Sequence, residues 1–396
     1  MESPIIKKLV NYYREIFNSK PLVLRSPARV NIIGEHTDYN EGFVLPAAID
    51  KAVYVAVEKR EDDQIILHSI DFKDKYEGRV SEIKRTDKHW ANYILGVAAQ
   101  FQKKGYQFNG FNLIIDGDVP LGAGLSSSAA VECATAYAIN VLFGFGVDKK
   151  TLALMAQKAE HEFAGVLCGI MDQFASVFGQ KDHVIKLDCR SLEYEFVPLK
   201  LEGYKILLLN TNVKHSLASS EYNTRRQQCE EGVTMIRKHY PEVKSLRDAT
   251  LEMVNQHVKG NEVIYRRCKY VEVIYRRCKY VIEENTRLLE GCEDLKKGDI
   301  GALGAKMYRS HEGLSKEYEV SCPELDFLVD SVRNKPDVLG ARMMGGGFGG
   351  CTINLVKETA IDGLISELST RYNKEMNKEL TPYIAQIEDG SSVVII

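Results

Sequence analysis

The sequence has one tryptophan, ten prolines and no C-x-x-C pair among its nine cysteines. An odd, scattered set of thiols argues for reduced cysteines, against a zinc site, and for a cytoplasmic address. No apolar run approaches the roughly 18 residues a membrane span needs, so no membrane partner is expected. The stretch from Met1 to Val10 lacks the apolar core of a secretory signal. It reads instead as the start of an amphipathic helix, with Ile5, Ile6, Leu9, Tyr13 and Ile16 on one side. An excess of one charge is missing too. A formal charge of −3, from 52 basic and 55 acidic residues, gives no reason to expect nucleic acid as a partner. Also absent is any G-x-x-x-x-G-K-[ST], which excludes a Walker A loop. What is present, 396 residues with 44% hydrophobic and 27% charged content, fits a soluble globular protein of about two domains.

The chain is organised around Pro120-Leu-Gly-Ala-Gly-Leu-Ser-Ser-Ser-Ala-Ala130, set between the apolar run Phe111–Asp116 and the helical pattern Val131–Asn140. Strand, glycine loop and helix start put free N–H groups and a positive helix end at one point, which suits phosphate. Gly122 and Gly124 let the backbone come close to a ligand. Ser126, Ser127 and Ser128 offer hydroxyls to phosphate, to magnesium or to the helix cap. An ordinary Gly/Ser turn capping a helix gives the same pattern, so the loop gains weight only from its company.

That company begins with Arg29, between two strand-like runs, followed by Glu35, His36, Thr37 and Asp38 beside Gly34. Acceptors and a donor packed this closely suit a polyhydroxylated ligand; a polar turn accounts for them equally well. Strands are expected through Phe43–Asp50 and Ala52–Val57, a helix from Asp87 carrying Trp90, and another over Lys150–Phe163 ending at Glu160. A lone tryptophan is first of all a core residue. Glu160 is either a magnesium ligand reaching a cleft or a solvated helix-end charge. Asp172 lies between Met171 and Phe174, where a carboxylate must be paired or functional, and Arg29 is its expected partner. The composition loosens between Ser191 and Leu201, which places a boundary between domains 1–195 and 196–396. Beyond it come a strand at Lys205–Asn210 and Tyr222, which either offers its hydroxyl to a ligand or caps a helix. Helical patterns follow over Tyr222–Tyr240 and Arg276–Leu295.

Glu262–Val271 recurs unchanged as Glu272–Val281. Ten residues at about 100° each fall about 80° short of three turns, so two copies in one helix present different faces. The first copy is expected to be partly looped out or to form an extra exposed turn. Near the end, Gly345, Gly347 and Gly350 satisfy G-x-G-x-x-G, but this loop feeds a strand, Cys351–Val356, so the dinucleotide reading is rejected. Five glycines in six residues still imply close backbone approach to a ligand or to the facing domain.

Three of these patches together resemble one family. Arg29–Asn40 is similar to the galactokinase signature, Pro120–Ala130 to the P-x-x-x-G-L-x-S-S-A motif of the GHMP kinases, and Met344–Gly350 to that superfamily's third motif. Cys168–Gln173 and Glu319–Asp326 extend the resemblance over essentially the whole chain; the decamer duplication departs from it. The resemblance implies an α+β, two-domain GHMP kinase fold, with a ribosomal-protein-S5-domain-2-like N-terminal domain and a ferredoxin-like C-terminal domain. It implies ATP- and magnesium-dependent transfer of the γ-phosphoryl group to the anomeric hydroxyl of D-galactose, the entry step of galactose metabolism, by a monomer. Under it, Asp172 and Arg29 are catalytic. Glu35, His36, Thr37, Asp38, Gly169, Asp172 and Tyr222 bind sugar. Gly122, Ala123, Gly124, Leu125, Ser126, Ser127 and Ser128 cradle ATP, with Trp90 and Ser69 near the adenine, and Ser128 and Glu160 hold magnesium. The rival readings are a GHMP kinase for N-acetylgalactosamine or arabinose, and a non-catalytic galactose sensor. The complete Ser126–Ala130 run and the presence of Asp172 favour catalysis.

Overall fold

The computed structural model describes residues 3–120, 122–213, 218–258 and 265–394. Its first sheet has six strands, ordered 392–394, 22–31, 46–59, 111–117, 64–69 and 74–79. Alternation along these strands divides their side chains between two faces. Leu24, Val53, Val55 and Val57 join a core with the helices His89–Lys103, Ser127–Phe143 and Lys149–Ala159. Val23, Tyr54, Ala56 and Ile114 meet the N-terminal helix Pro4–Phe17 on the other face, through its Ile6, Leu9, Val10 and Tyr13. Ile16, expected on that buried side, is 41% exposed, and Phe17, the helix's last residue, packs against this core instead.

A second, antiparallel sheet has the order 338–343, 351–357, 204–210 and 381–385. Leu207 and Leu209 face the helices Pro323–Val332 and Ile361–Met376. Ile206 and Leu208 face inward, into a core that also takes Val30 from the first sheet, Ile32 just beyond that strand, and Leu288 and Met307 from helices of the second half. The two sheets therefore share apolar packing beneath the loops that end their strands. A small sheet of strands 43–44, 183–188 and 194–198 lies alongside. Strand 392–394 pairs with 22–31, Val394 opposite Val23, so the chain crosses back over the expected 195/196 division.

The duplicated decamer is not looped out where it is described. One helix runs from Tyr265 to Lys296, and residues 262–264 lie outside the described residues. The second copy supplies the core: Ile274, Cys278, Tyr280 and Val281 are fully buried. At the first copy's equivalent of Tyr280, Tyr270 is 49% exposed and donates to Glu231. From Ile274 onward this helix packs into the core, while Tyr270 stands at the surface as part of an extra exposed turn.

Candidate active site

Three loops meet where the sheets converge. The phosphate-type loop leaves strand 111–117 and enters helix Ser127–Phe143 through Ser126, whose φ of 58° is left-handed. Ser126 does not cap its own helix. Its hydroxyl donates to Asp172 instead, so the expected phosphate role does not fall to this side chain. Ala123 and Leu125 are likewise buried in the shared core, which leaves only their backbone for a ligand. The late glycine loop lies directly on this one. A Cβ at Gly345 or Gly350 would come within 3.2 Å of the Gly124 or Ala123 carbonyl oxygen, so the close approach read from sequence is made to the phosphate-type loop.

Asp172 opens the short helix Met171–Phe178, and Arg29 comes from strand 22–31. The guanidinium is 3% exposed and grips both carboxylate oxygens, Nε–Oδ1 at 2.7 Å and Nη2–Oδ2 at 2.8 Å. Its third donor reaches the Gly124 carbonyl at 2.7 Å. One buried arginine thus ties the carboxylate to the phosphate-type loop, in the bidentate geometry that arginine favours.

A cavity of about 360 Å³ opens over this pair, lined also by Glu35, His36, Asp38, Ser128, Glu160 and Tyr222. Glu35 is bonded by Arg342 at 2.9 Å and by the Gly345 N–H at 2.8 Å. Burial opposes its charge, but Arg342 and Arg29 outweigh that and hold its carboxyl below the usual range. Burial pushes His36 down to about 4, so its imidazole is neutral. Burial and the nearby Asp172 charge raise Asp38 to about 7. Burial likewise keeps Tyr222 a neutral phenol.

Two expected sugar contacts do not reach this cavity. The Thr37 hydroxyl donates to the Gly34 and Phe43 carbonyls and is fully buried; it shapes the turn. Gly169 lines a separate cavity behind Asp38, where any Cβ would strike the Asp38 carboxylate. Its contribution is to leave room for Asp38.

A neighbouring cavity of about 680 Å³ is lined by Ser69, Trp90, Tyr93, Val119, Val131, Ser127 and Ser128. It joins the first at the helix start, since both serines line both. Trp90 is therefore not simply a core residue: half-buried, it lines this cavity and donates Nε1–H to Asp74 at 2.9 Å. Ser69 is buried at the cavity wall, where its hydroxyl accepts from the Phe72 N–H.

Glu160 begins a π-helical turn after Lys149–Ala159 and is 7% exposed, so it is not solvated. It accepts from Gln173 Nε2 at 2.7 Å, from the Cys168 thiol and from Ser128. Burial and the Asp172 charge raise its carboxyl. Ser128 and Glu160 present hard oxygen donors to one cavity, a donor set that fits magnesium. No cluster of three or more His, Cys, Asp or Glu side chains suited to a metal occurs among the described residues. That suits a cation completed by phosphates and water rather than by a protein cage.

Sequence reasoning missed several residues here. Arg342 is fully buried and also donates to the Asn31, Ile32 and Met343 carbonyls, which clamps the two sheets together at the cleft. A basic residue inside the apolar strand just before the glycine loop was its only signal. Tyr39, Tyr318 and Cys229 form a hydrogen-bonded chain behind His36. Fully buried Glu132 shares Gln173 with Glu160, and burial followed by the Glu160 charge raises it well above the carboxylate range. The helix Tyr265–Lys296 holds the sugar-type motif from behind: Tyr280 donates to the Glu35 carbonyl, Glu284 accepts from Gly34 N–H, and Asn285 accepts from Phe43 N–H.

Comparison with known proteins follows this geometry. Residues 92–180 match the GHMP kinases N terminal domain, 292–374 the GHMP kinases C terminal domain, and 11–59 the galactokinase galactose-binding signature. A galactokinase of Thermotoga maritima is 46% identical over 93% of this chain and 98% of its own. One of Fusobacterium nucleatum is 39% identical over 98% of this chain and 100% of its own. The structure of Lactococcus lactis galactokinase complexed with galactose matches with a TM-score of 0.92 at 32% identity, covering 98% of this chain and 100% of that one. A Methanococcus jannaschii mevalonate kinase, 18% identical with a TM-score of 0.63, shares the fold. With its signature motif on the cleft and this identity along nearly its whole length, the chain belongs to the galactokinases of the GHMP kinase superfamily.

Proposed function

We propose that the enzyme transfers the γ-phosphoryl group of ATP to the anomeric hydroxyl of D-galactose, giving α-D-galactose 1-phosphate and ADP. The observation that carries this reading is the Arg29 clamp, which joins the Asp172 carboxylate and the phosphate-type loop at the floor of a cavity ringed by Glu35, His36, Asp38 and Tyr222. Phosphoryl transfer depends on positioning and charge neutralisation more than on covalent chemistry. In this reading ATP lies across the larger cavity, its base end by Trp90 and Ser69. Its phosphates reach the Gly122–Ser128 amides and the helix N-terminus.

Ser128 and Glu160 would hold magnesium together with the phosphates, and the ion would supply positive charge to the transferring group. Arg29 adds fixed positive charge at the same place. Asp172 already accepts two guanidinium bonds and a serine hydroxyl, so its remaining acceptor capacity is directional. It aligns the sugar hydroxyl and accepts its proton as that oxygen bonds to phosphorus and the bond from phosphorus to ADP breaks. Asp38 and Glu35 take paired sugar hydroxyls, and Tyr222 closes the wall beside them. The protein acts as a cytoplasmic monomer, with 1–195 and 196–396 as the lobes facing the cleft, except that strand 392–394 returns to the first lobe.

ADP release with ATP and magnesium, measured with galactose, N-acetylgalactosamine, arabinose and glucose in turn, tests the reading. Turnover with galactose well above the others is expected. Preference for another sugar replaces the substrate, and galactose binding without turnover makes the protein a sensor.

A further inference from the structure

His36 sits among three tyrosine rings, with centroids 4.9 Å from Tyr318, 5.4 Å from Tyr222 and 5.8 Å from Tyr39. Its Nδ1 lies 2.8 Å from the Tyr39 hydroxyl, which lies 2.8 Å from the Tyr318 hydroxyl, which lies 3.2 Å from Cys229 Sγ. Tyr318 and Cys229 are fully buried. The chain thus runs from the helix Ala218–Arg237 to the sugar-type motif.

Each hydroxyl in this chain has one proton and two neighbours within it, so all the donors must point the same way. The His36 end sets the direction. A phenol is a stronger acid than an imidazole N–H, and an imidazole nitrogen is a better acceptor than a phenol oxygen. Tyr39 therefore donates to Nδ1, Tyr318 donates to Tyr39, and the Cys229 thiol donates to Tyr318. Because burial keeps His36 neutral, the ring has a single N–H, which is left on Nε2. Nε2 is buried without a hydrogen-bond partner among the described residues, on a side chain that lines the cleft. The Gly346 backbone also favours a proton on the ring, without closing a hydrogen bond to Nε2.

We propose that the Cys229–Tyr318–Tyr39 chain fixes His36 as its Nε2–H tautomer, so that it offers a donor to an oxygen of the bound sugar. Tyr39 and Tyr318 are positioning residues for sugar recognition, and the role rests on the reading of His36 as a sugar contact.

The test is nitrogen NMR on the full chain labelled at histidine, with the His36 signals identified by their absence in His36→Gln. The expected result at neutral pH is a bare, hydrogen-bonded Nδ1 and a protonated Nε2; a proton on Nδ1 overturns the assignment. Galactose should shift the Nε2 signal. A protonated Nε2 that ignores galactose overturns the sugar contact while leaving the direction of the chain standing, so the two failures are told apart. Tyr39→Phe should raise KM for galactose about tenfold, the scale of one neutral hydrogen bond, with KM for ATP unchanged. An unchanged galactose KM in Tyr39→Phe overturns the positioning role.

Discussion

Replacing Arg342 by methionine removes the charge that lets Glu35 exist inside the protein. Both side chains are buried, at 0% and 2% exposure, and the arginine has four acceptors: Glu35 and the carbonyls of Asn31, Ile32 and Met343. Without it, the Glu35 carboxylate keeps only the Gly345 N–H found here. Breaking one side of a buried ion pair costs about 3–5 kcal/mol. Three carbonyls stripped of a donor add about 1 kcal/mol each where water does not replace it. The sum reaches ~8 kcal/mol, which is comparable with the whole stability of many domains at ~5–15 kcal/mol. Arg342→Met should therefore shift the urea midpoint drastically, followed by circular dichroism and by the single tryptophan. Adding Glu35→Gln removes the stranded charge, so the double variant should recover about 2 kcal/mol or more over Arg342→Met alone. A loss below about 1 kcal/mol in Arg342→Met, or a double variant as unstable as the sum of the two singles, would refute the clamp.

Four further outcomes are expected. Asp172→Asn should abolish turnover while ADP binding by calorimetry stays within about twofold; near-normal turnover removes Asp172 from the mechanism. Gly169→Ala should raise KM for galactose by an order of magnitude or so with little change for ATP, because the new methyl displaces Asp38; an unchanged galactose KM would show that Asp38 can move aside without loss. Asp38 sits at about 7 in the free protein, so a sugar that needs its ionised form releases a proton on binding. Galactose affinity should then rise with pH up to about 7 and level off, and calorimetry in two buffers would detect the proton; a flat profile contradicts the role. Deleting one decamer gives the same protein whichever copy is removed, and it should leave kcat intact and stability within about 1 kcal/mol. Collapse on deletion would mean that the extra turns carry packing.

Motif and periodicity made much of this molecule legible in advance. The phosphate-type loop between strand and helix and the cluster after Arg29 follow from short stretches whose chemistry is local. The Arg29–Asp172 pairing, over 143 residues, followed from a carboxylate among apolar neighbours that needed a cation. The GHMP fold came from the family resemblance that the three motifs carry, and periodicity added only single elements such as Ala52–Val57 and Lys150–Phe163. What stayed hidden depends on contacts across the sequence. Arg342 meets Glu35 over 307 residues, and Tyr39 meets Tyr318 over 279, distances at which no pattern in a single chain speaks. Thr37 and Gly169 stand off the central cavity, because a motif tells which residues gather at a site, not which way each one faces. The decamer was legible in part: helical phase required the two copies to differ in environment. Of the two expectations, the extra exposed turn holds where the residues are described, while the looped-out one does not.

Ser26 and Ser391 are 365 positions apart, yet their hydroxyls touch inside the first sheet, where Ser392–Val394 forms the outer strand. A ribosome working at roughly 5–20 residues per second needs about 20–70 s to make the chain between them. For that time the strand Leu22–Asn31 has a bare edge, although most of its lobe has already emerged. Such an edge can pair with any extended segment that reaches it, including the same strand of a neighbouring nascent chain. The first lobe must therefore wait, unsealed, until the rest of the enzyme has been made.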